Sequence, residues 1–197
     1  MLKAIAEEIS LRLVANKMIS IENRKYYIYG IELVISDFLI CLSIFGLAIL
    51  TGKIVISLVY AITYCVLRSY VGGYHCKTYA KCFFTSLSLY IIMLILDFSI
   101  KNSKLIVSCI LLIIAVPIIV IFTPVDYGND PLDETAKRKY WTKSIIFMIL
   151  VIIAFIFASI FHQPEISFAM SWGIFMVFSL MLPSVCSKFT FMKVRQK

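Results

Sequence analysis

L-I-V-S-C-I-L-L-I-I-A-V-P-I-I-V-I-F-T, Leu105 to Thr123, contains no charged residue. An apolar run of this length matches the ~20 residues a helix needs to cross a bilayer. It has five companions, at roughly 31–50, 54–71, 82–100, 144–162 and 167–186. The run at 54–71 is the weakest, with its cleanest apolar core only from Ile54 to Leu67. Across the 197 residues, 61% are hydrophobic and 15% are charged. That composition cannot furnish the polar surface of a soluble domain. The expected fold is all-α: a polytopic integral membrane protein with about six transmembrane helices and an N-terminal interfacial amphipathic helix.

Working outward from the spans, the loops give the orientation. The chain carries a net charge of +8, which by itself would suit nucleic acid. The cations instead cluster at the ends of apolar runs, where lysine and arginine set topology. Sixteen of the nineteen lie in the N-terminal segment, the central loop, the loop at 124–143 and the C-terminal tail; Lys53, Lys101 and Lys104 lie on the other side. This asymmetry predicts cytoplasmic termini and a cytoplasmic central loop. A four-span arrangement, with the second and third runs re-entrant, keeps the ends on the same side and stays open.

Residues 1–25 form the predicted amphipathic segment. Leu2, Ile5, Ile9 and Leu13 share one helical face, and the helix either lies in the membrane interface or packs on the protein's own surface. No basic start, apolar core and small-residue cleavage site occurs there, so the first span is expected to remain in the mature protein. Residues 31–186 form the bundle and 187–197 a cytoplasmic tail, one domain from 1 to 197. Cys41, Cys65, Cys109 and Cys186 lie inside apolar runs and behave as small hydrophobes. No disulfide framework is expected.

Two acids fall inside spans. Asp37 should face the bundle interior or water, in a substrate channel or a structural contact. Asp97 can reach the outer interface near Lys101. In the loop at 124–143, Asp130 reads as a helix cap, Pro131 as the first helical residue, and Lys137, Arg138, Lys139 and Lys143 as the basic end of a short separate helix.

Chemistry concentrates in R-S-Y-V-G-G-Y-H-C-K-T-Y-A-K-C, Arg68 to Cys82. An imidazole beside a thiol is the minimum equipment of a cysteine nucleophile. In one straight helix His75 and Cys82 would lie ~10 Å apart along the axis, too far to share a proton. Gly72-Gly73 offers a break that would carry His75 back over the start of the third span. Cys82 would then sit in the first turn of a helix, where the dipole and the cations Arg68, Lys77 and Lys81 favour a thiolate. Cys76 is an alternative nucleophile, awkwardly placed directly beside His75. Only two histidines occur, and His162 falls on the opposite side, so neither a metal nor any other cofactor is expected.

The pattern R-x-x-x-G-G-x-H-x-x-x-x-x-x-C resembles the signature of the accessory gene regulator B (AgrB) family, bacterial membrane peptidases that process quorum-sensing propeptides. The likeness extends to Pro124-Val125-Asp126 and to Asn129-Asp130-Pro131-Leu132. The resemblance implies His75 as catalytic base and Cys82 as nucleophile, with Arg68, Gly72 and Gly73 as supporting residues. It implies a cysteine endopeptidase that removes the C-terminal tail of an AgrD-like propeptide through a thioester and promotes cyclisation to a thiolactone or lactone. Asp37, Lys77, Lys81, Asp126 and Asp130 are candidates for substrate contact or for orienting the imidazole. The expected partners are the propeptide, membrane lipids and, as an option, a second copy in a homodimer; nucleic acid is not among them. A small-peptide transporter or channel, or a non-catalytic scaffold, are the competing readings.

Overall fold

The computed structural model describes residues 2–72, 79–100, 102–125 and 133–195. The order is α1 (Leu2–Ala15), α2 (Arg24–Thr51), α3 (Ile54–Val71), α4 (Tyr79–Ser99), α5 (Lys104–Phe122), α6 (Glu134–Ile160) and α7 (Pro164–Arg195). Six of these, α2 to α7, are long and apolar enough to cross a membrane. Among the described residues no strand occurs, and the chain is an all-α polytopic membrane protein. Large apolar side chains such as Phe38, Leu50, Ile62, Ile113 and Phe161 face outward. A bundle whose solvent is hydrocarbon needs no polar exterior.

Tight connections alternate the direction of the spans. Gly52 closes α2 in the left-handed conformation (φ 69°), its N–H reaching the Ala48 and Ile49 carbonyls, and α3 starts two residues later. Pro164 opens α7 at its first position, where no amide hydrogen is needed, after a turn through His162. Helix α7 is the hub. Phe168, Ala169, Trp172, Ile174, Val177 and Met181 are all buried there, and α7 packs on α3, α4, α5 and α6. At Gly173 an added Cβ would come within 3.0 Å of the Thr63 methyl. The missing side chain thus lets α3 and α7 approach closely, as small residues do between membrane helices. Trp172 Nε1 donates to the Leu89 carbonyl at 3.3 Å, tying α7 to α4.

Helix α6 departs from expectation. The short separate helix expected in the 124–143 loop is instead the first turns of α6, which runs unbroken to Ile160. No glycine or proline interrupts residues 134–160, so nothing stops the helix at the membrane boundary. Asp133 occupies the cap position and accepts a hydrogen bond from Thr135 Oγ1. Asp130 and Pro131 lie outside the described residues. Trp141 Nε1 donates to the Val120 carbonyl at 3.2 Å and holds the start of α6 against the end of α5.

Helix α1 packs on α2, with Ala6 and Ser10 buried and Arg24 Nε donating to Ser10 Oγ at 3.2 Å. Ile5 and Ile9 are exposed. Ile9 joins Tyr26, Tyr27, Ile31 and Val34 around an open apolar cavity of about 530 Å³.

Candidate active site

Polar residues recur at helical spacing on α3 and α4. On α3, Tyr64 and Arg68 are four residues apart; on α4, so are Cys82 and Ser86. Side chains four apart share a helix face. The two helices run in opposite directions, so Arg68 meets Cys82 and Tyr64 meets Ser86. Arg68 Nη2 lies 3.7 Å from Cys82 Sγ. Arg68 Nη1 donates to the Tyr64 hydroxyl at 2.6 Å, and that hydroxyl lies 3.2 Å from Ser86 Oγ. Tyr64 and Ser86 are both buried, and the Tyr64 ring stacks on Tyr60 at 5.7 Å between centroids.

Arg68 belongs to the last turn of α3, where a cation complements the helix C-terminus. Cys82 lies in the first turn of α4, as the sequence indicates. Lys81 is exposed beside it. Asp37, exposed on α2, is within electrostatic range of Arg68. One turn further along α2 and α3, the thiols of Cys41 and Cys65 are 3.9 Å apart. His75, Gly73, Lys77, Asp126 and Asp130 lie outside the described residues.

Gly72 ends α3 with φ 74° and ψ −154°, a conformation essentially restricted to glycine. It pairs in a parallel bridge with Val125, whose N–H donates to the Val71 carbonyl at 3.0 Å. A Cβ at Gly72 would stand 2.8 Å from the Val125 carbonyl oxygen. The glycine therefore lets the segment after α5 lie directly against the end of α3. This pairing joins Gly72 to Val125, one residue from each of the two motif stretches.

The opposite end of the bundle holds a second polar cluster. Asp97, 1% exposed, accepts from Lys104 Nζ at 2.6 Å and also pairs with Lys53. Lys104 in turn lies 3.3 Å from Glu165. The expectation that Asp97 reaches the interface near Lys101 is corrected: the carboxylate turns inward, because two lysines from the α2–α3 turn and the start of α5 neutralise it there. Lys101 lies outside the described residues. His162 is exposed in the α6–α7 turn at this same end, away from Cys82.

Tyr64 and Ser86 escaped the sequence reading, although their four-residue spacing from Arg68 and Cys82 is legible once the two helices are set face to face. A family model described as accessory gene regulator B matches residues 6–182. No curated protein and no solved structure matches the chain.

Proposed function

The chain belongs to the accessory gene regulator B family, which gives it a role in agr quorum sensing, and we propose that it is the cysteine endopeptidase that matures the AgrD-like propeptide of that system. The observation that carries the reading is the Arg68 guanidinium 3.7 Å from Cys82 Sγ. A fixed cation beside a thiol at a helix start favours the thiolate, which is the nucleophilic form.

By its position in the family motif, His75 takes the Cys82 proton. The thiolate attacks the carbonyl carbon of the scissile peptide bond. His75 returns the proton to the departing amine, the C–N bond breaks, and the C-terminal tail leaves. The remaining peptide is held as a thioester on Cys82. A cysteine or serine side chain within it then attacks the thioester carbonyl, forming the ring and restoring the Cys82 thiol. A site that excludes water protects the intermediate from hydrolysis. Backbone N–H groups at the start of α4 suit the developing oxyanion. The termini and the catalytic end of the bundle face the cytoplasm, where the basic loops meet the propeptide.

The deciding experiment co-expresses the chain with its cognate propeptide and follows the peptide by mass spectrometry. Wild type and Cys76→Ala are expected to release the tail; His75→Ala and Cys82→Ala are expected to release none at equal membrane levels. A remaining peptide lighter by one water than its linear form reports ring closure. Cleavage that persists in Cys82→Ala refutes the assignment.

A further inference from the structure

We infer that Tyr64, held by Ser86, is a positioning residue that fixes the Arg68 guanidinium against the Cys82 thiol. The inference rests on the peptidase reading for its catalytic consequence, but its effect on the thiol can be measured independently. The Tyr64 oxygen accepts from Arg68 Nη1 at 2.6 Å. The same hydroxyl lies 3.2 Å from Ser86 Oγ, a pair in which either oxygen can donate. The contacts therefore run Arg68 to Tyr64 to Ser86, and they leave Nη2 pointing at Cys82 Sγ.

Arginine has several rotatable bonds, and an unrestrained guanidinium would sample many positions near the interface. The Tyr64 ring cannot follow it. It is buried between its stacking partner Tyr60 and helix α4. Bonds to an ionised group in a dry setting are the strong ones. Tyr60 is the natural comparison. It is equally buried, but its hydroxyl has no hydrogen-bond partner among the described residues. Two tyrosines four residues apart on one helix thus differ in their hydroxyl contacts: Tyr64 meets Arg68 and Ser86, and Tyr60 meets neither.

The test alkylates the purified full-length protein with iodoacetamide at fixed pH and quantifies the Cys82 peptide by mass spectrometry, alongside propeptide cleavage. Losing the charge-assisted contact in Arg68→Gln is expected to slow Cys82 alkylation about tenfold, and Tyr64→Phe about fivefold. Tyr64→Phe should lower kcat for cleavage by a similar factor with KM unchanged. Tyr60→Phe should leave both rates as in wild type. Added to Arg68→Gln, Tyr64→Phe should have no further effect, because it acts through the arginine. Wild-type alkylation in Tyr64→Phe, or an equal loss in the Arg68→Gln background, overturns the inference. Should Tyr64→Phe fail to accumulate in the membrane, Ser86→Ala is put through the same pair of backgrounds, with about a twofold loss expected only when Arg68 is present. Cleavage that survives Cys82→Ala sinks the peptidase reading alone, since the alkylation rates still report whether Tyr64 acts on the thiol.

Discussion

Gly72→Ala probes how the two motif segments are joined. The backbone at Gly72 has φ 74° and ψ −154°, and a residue with a side chain held in that region is strained by about 1–3 kcal/mol. The new methyl would also stand 2.8 Å from the Val125 carbonyl oxygen. That neighbour is backbone and cannot rotate away, so the two bridged segments must part. Parting them loses the bond from Val125 N–H to the Val71 carbonyl, worth about 1 kcal/mol. Together the two effects come to roughly 2–4 kcal/mol, a shift of about 30- to 1000-fold toward the opened pairing. Hydrogen exchange of the Val125 amide, read from overlapping peptides, should accelerate by at least about thirtyfold or become fully unprotected. Propeptide cleavage should fall at least about tenfold, because the segment after α5 no longer lies against the end of α3. Gly52→Ala separates strain from collision: Gly52 also has positive φ (69°), but nothing lies within 4 Å of its added Cβ. It should cost only about 1–2 kcal/mol and leave cleavage near wild type. Val125 protection within threefold of wild type, together with normal cleavage, would refute the reasoning.

Three further outcomes are expected. Asp97→Asn leaves Lys104, 5% exposed, with only the half-exposed Glu165 as a counter-charge among the described residues. It should cost about 3 kcal/mol and lower the melting temperature in detergent by about 6–12 °C, whereas Glu165→Gln should cost under about 1 kcal/mol; equal shifts would remove the central role given to Asp97. Copper-phenanthroline oxidation should join Cys41 to Cys65, whose sulfurs are 3.9 Å apart, and should not join either to Cys109, as peptide mapping by mass spectrometry will reveal. In a cysteine-free background on intact cells, a membrane-impermeant maleimide should label Asn102→Cys but not Lys139→Cys; the reverse pattern would invert the proposed orientation.

Much of this architecture is legible in the sequence for a physical reason. An uncharged run such as Leu105–Thr123 has one solvent open to it and one backbone solution within that solvent. The helix ends are less legible, since hydropathy marks where hydrocarbon stops and not where backbone bonding stops. Helix α2 begins at Arg24, inside the basic cluster, and α6 begins at Glu134, ten residues before its apolar run. Position along a span also did not reveal the surroundings of Asp97. Its partner Lys53 is 44 residues away, and only the packed bundle brings the α2–α3 turn to the end of α4. The motif itself stood out because paired glycines, a histidine and a cysteine are conspicuous between apolar runs. Tyr64 and Ser86 are ordinary residues for a membrane helix. Their role depends on which face of α3 meets which face of α4, and no local periodicity specifies that.

The two polar clusters at opposite ends of the bundle differ in charge balance, and the difference separates structure from chemistry. At the end bearing Asp97, among the described residues, Lys53 and Lys104 meet Asp97 and Glu165, and each of these four charges has an ionic partner. Such a cluster has no need of a further ion. At the other end the Arg68 cation lies against the Tyr64 hydroxyl and the Cys82 sulfur. Asp37 acts on it through space and is itself exposed. A cation held against a hydroxyl and a sulfur gains most when one of those contacts carries negative charge. Cys82 is the contact that can do so by losing a proton, and in the proposed mechanism that is the step that creates the nucleophile. The same balance argues against using the Asp97 cluster as an ion path, because moving a charge through it would first require breaking a pair already neutralised.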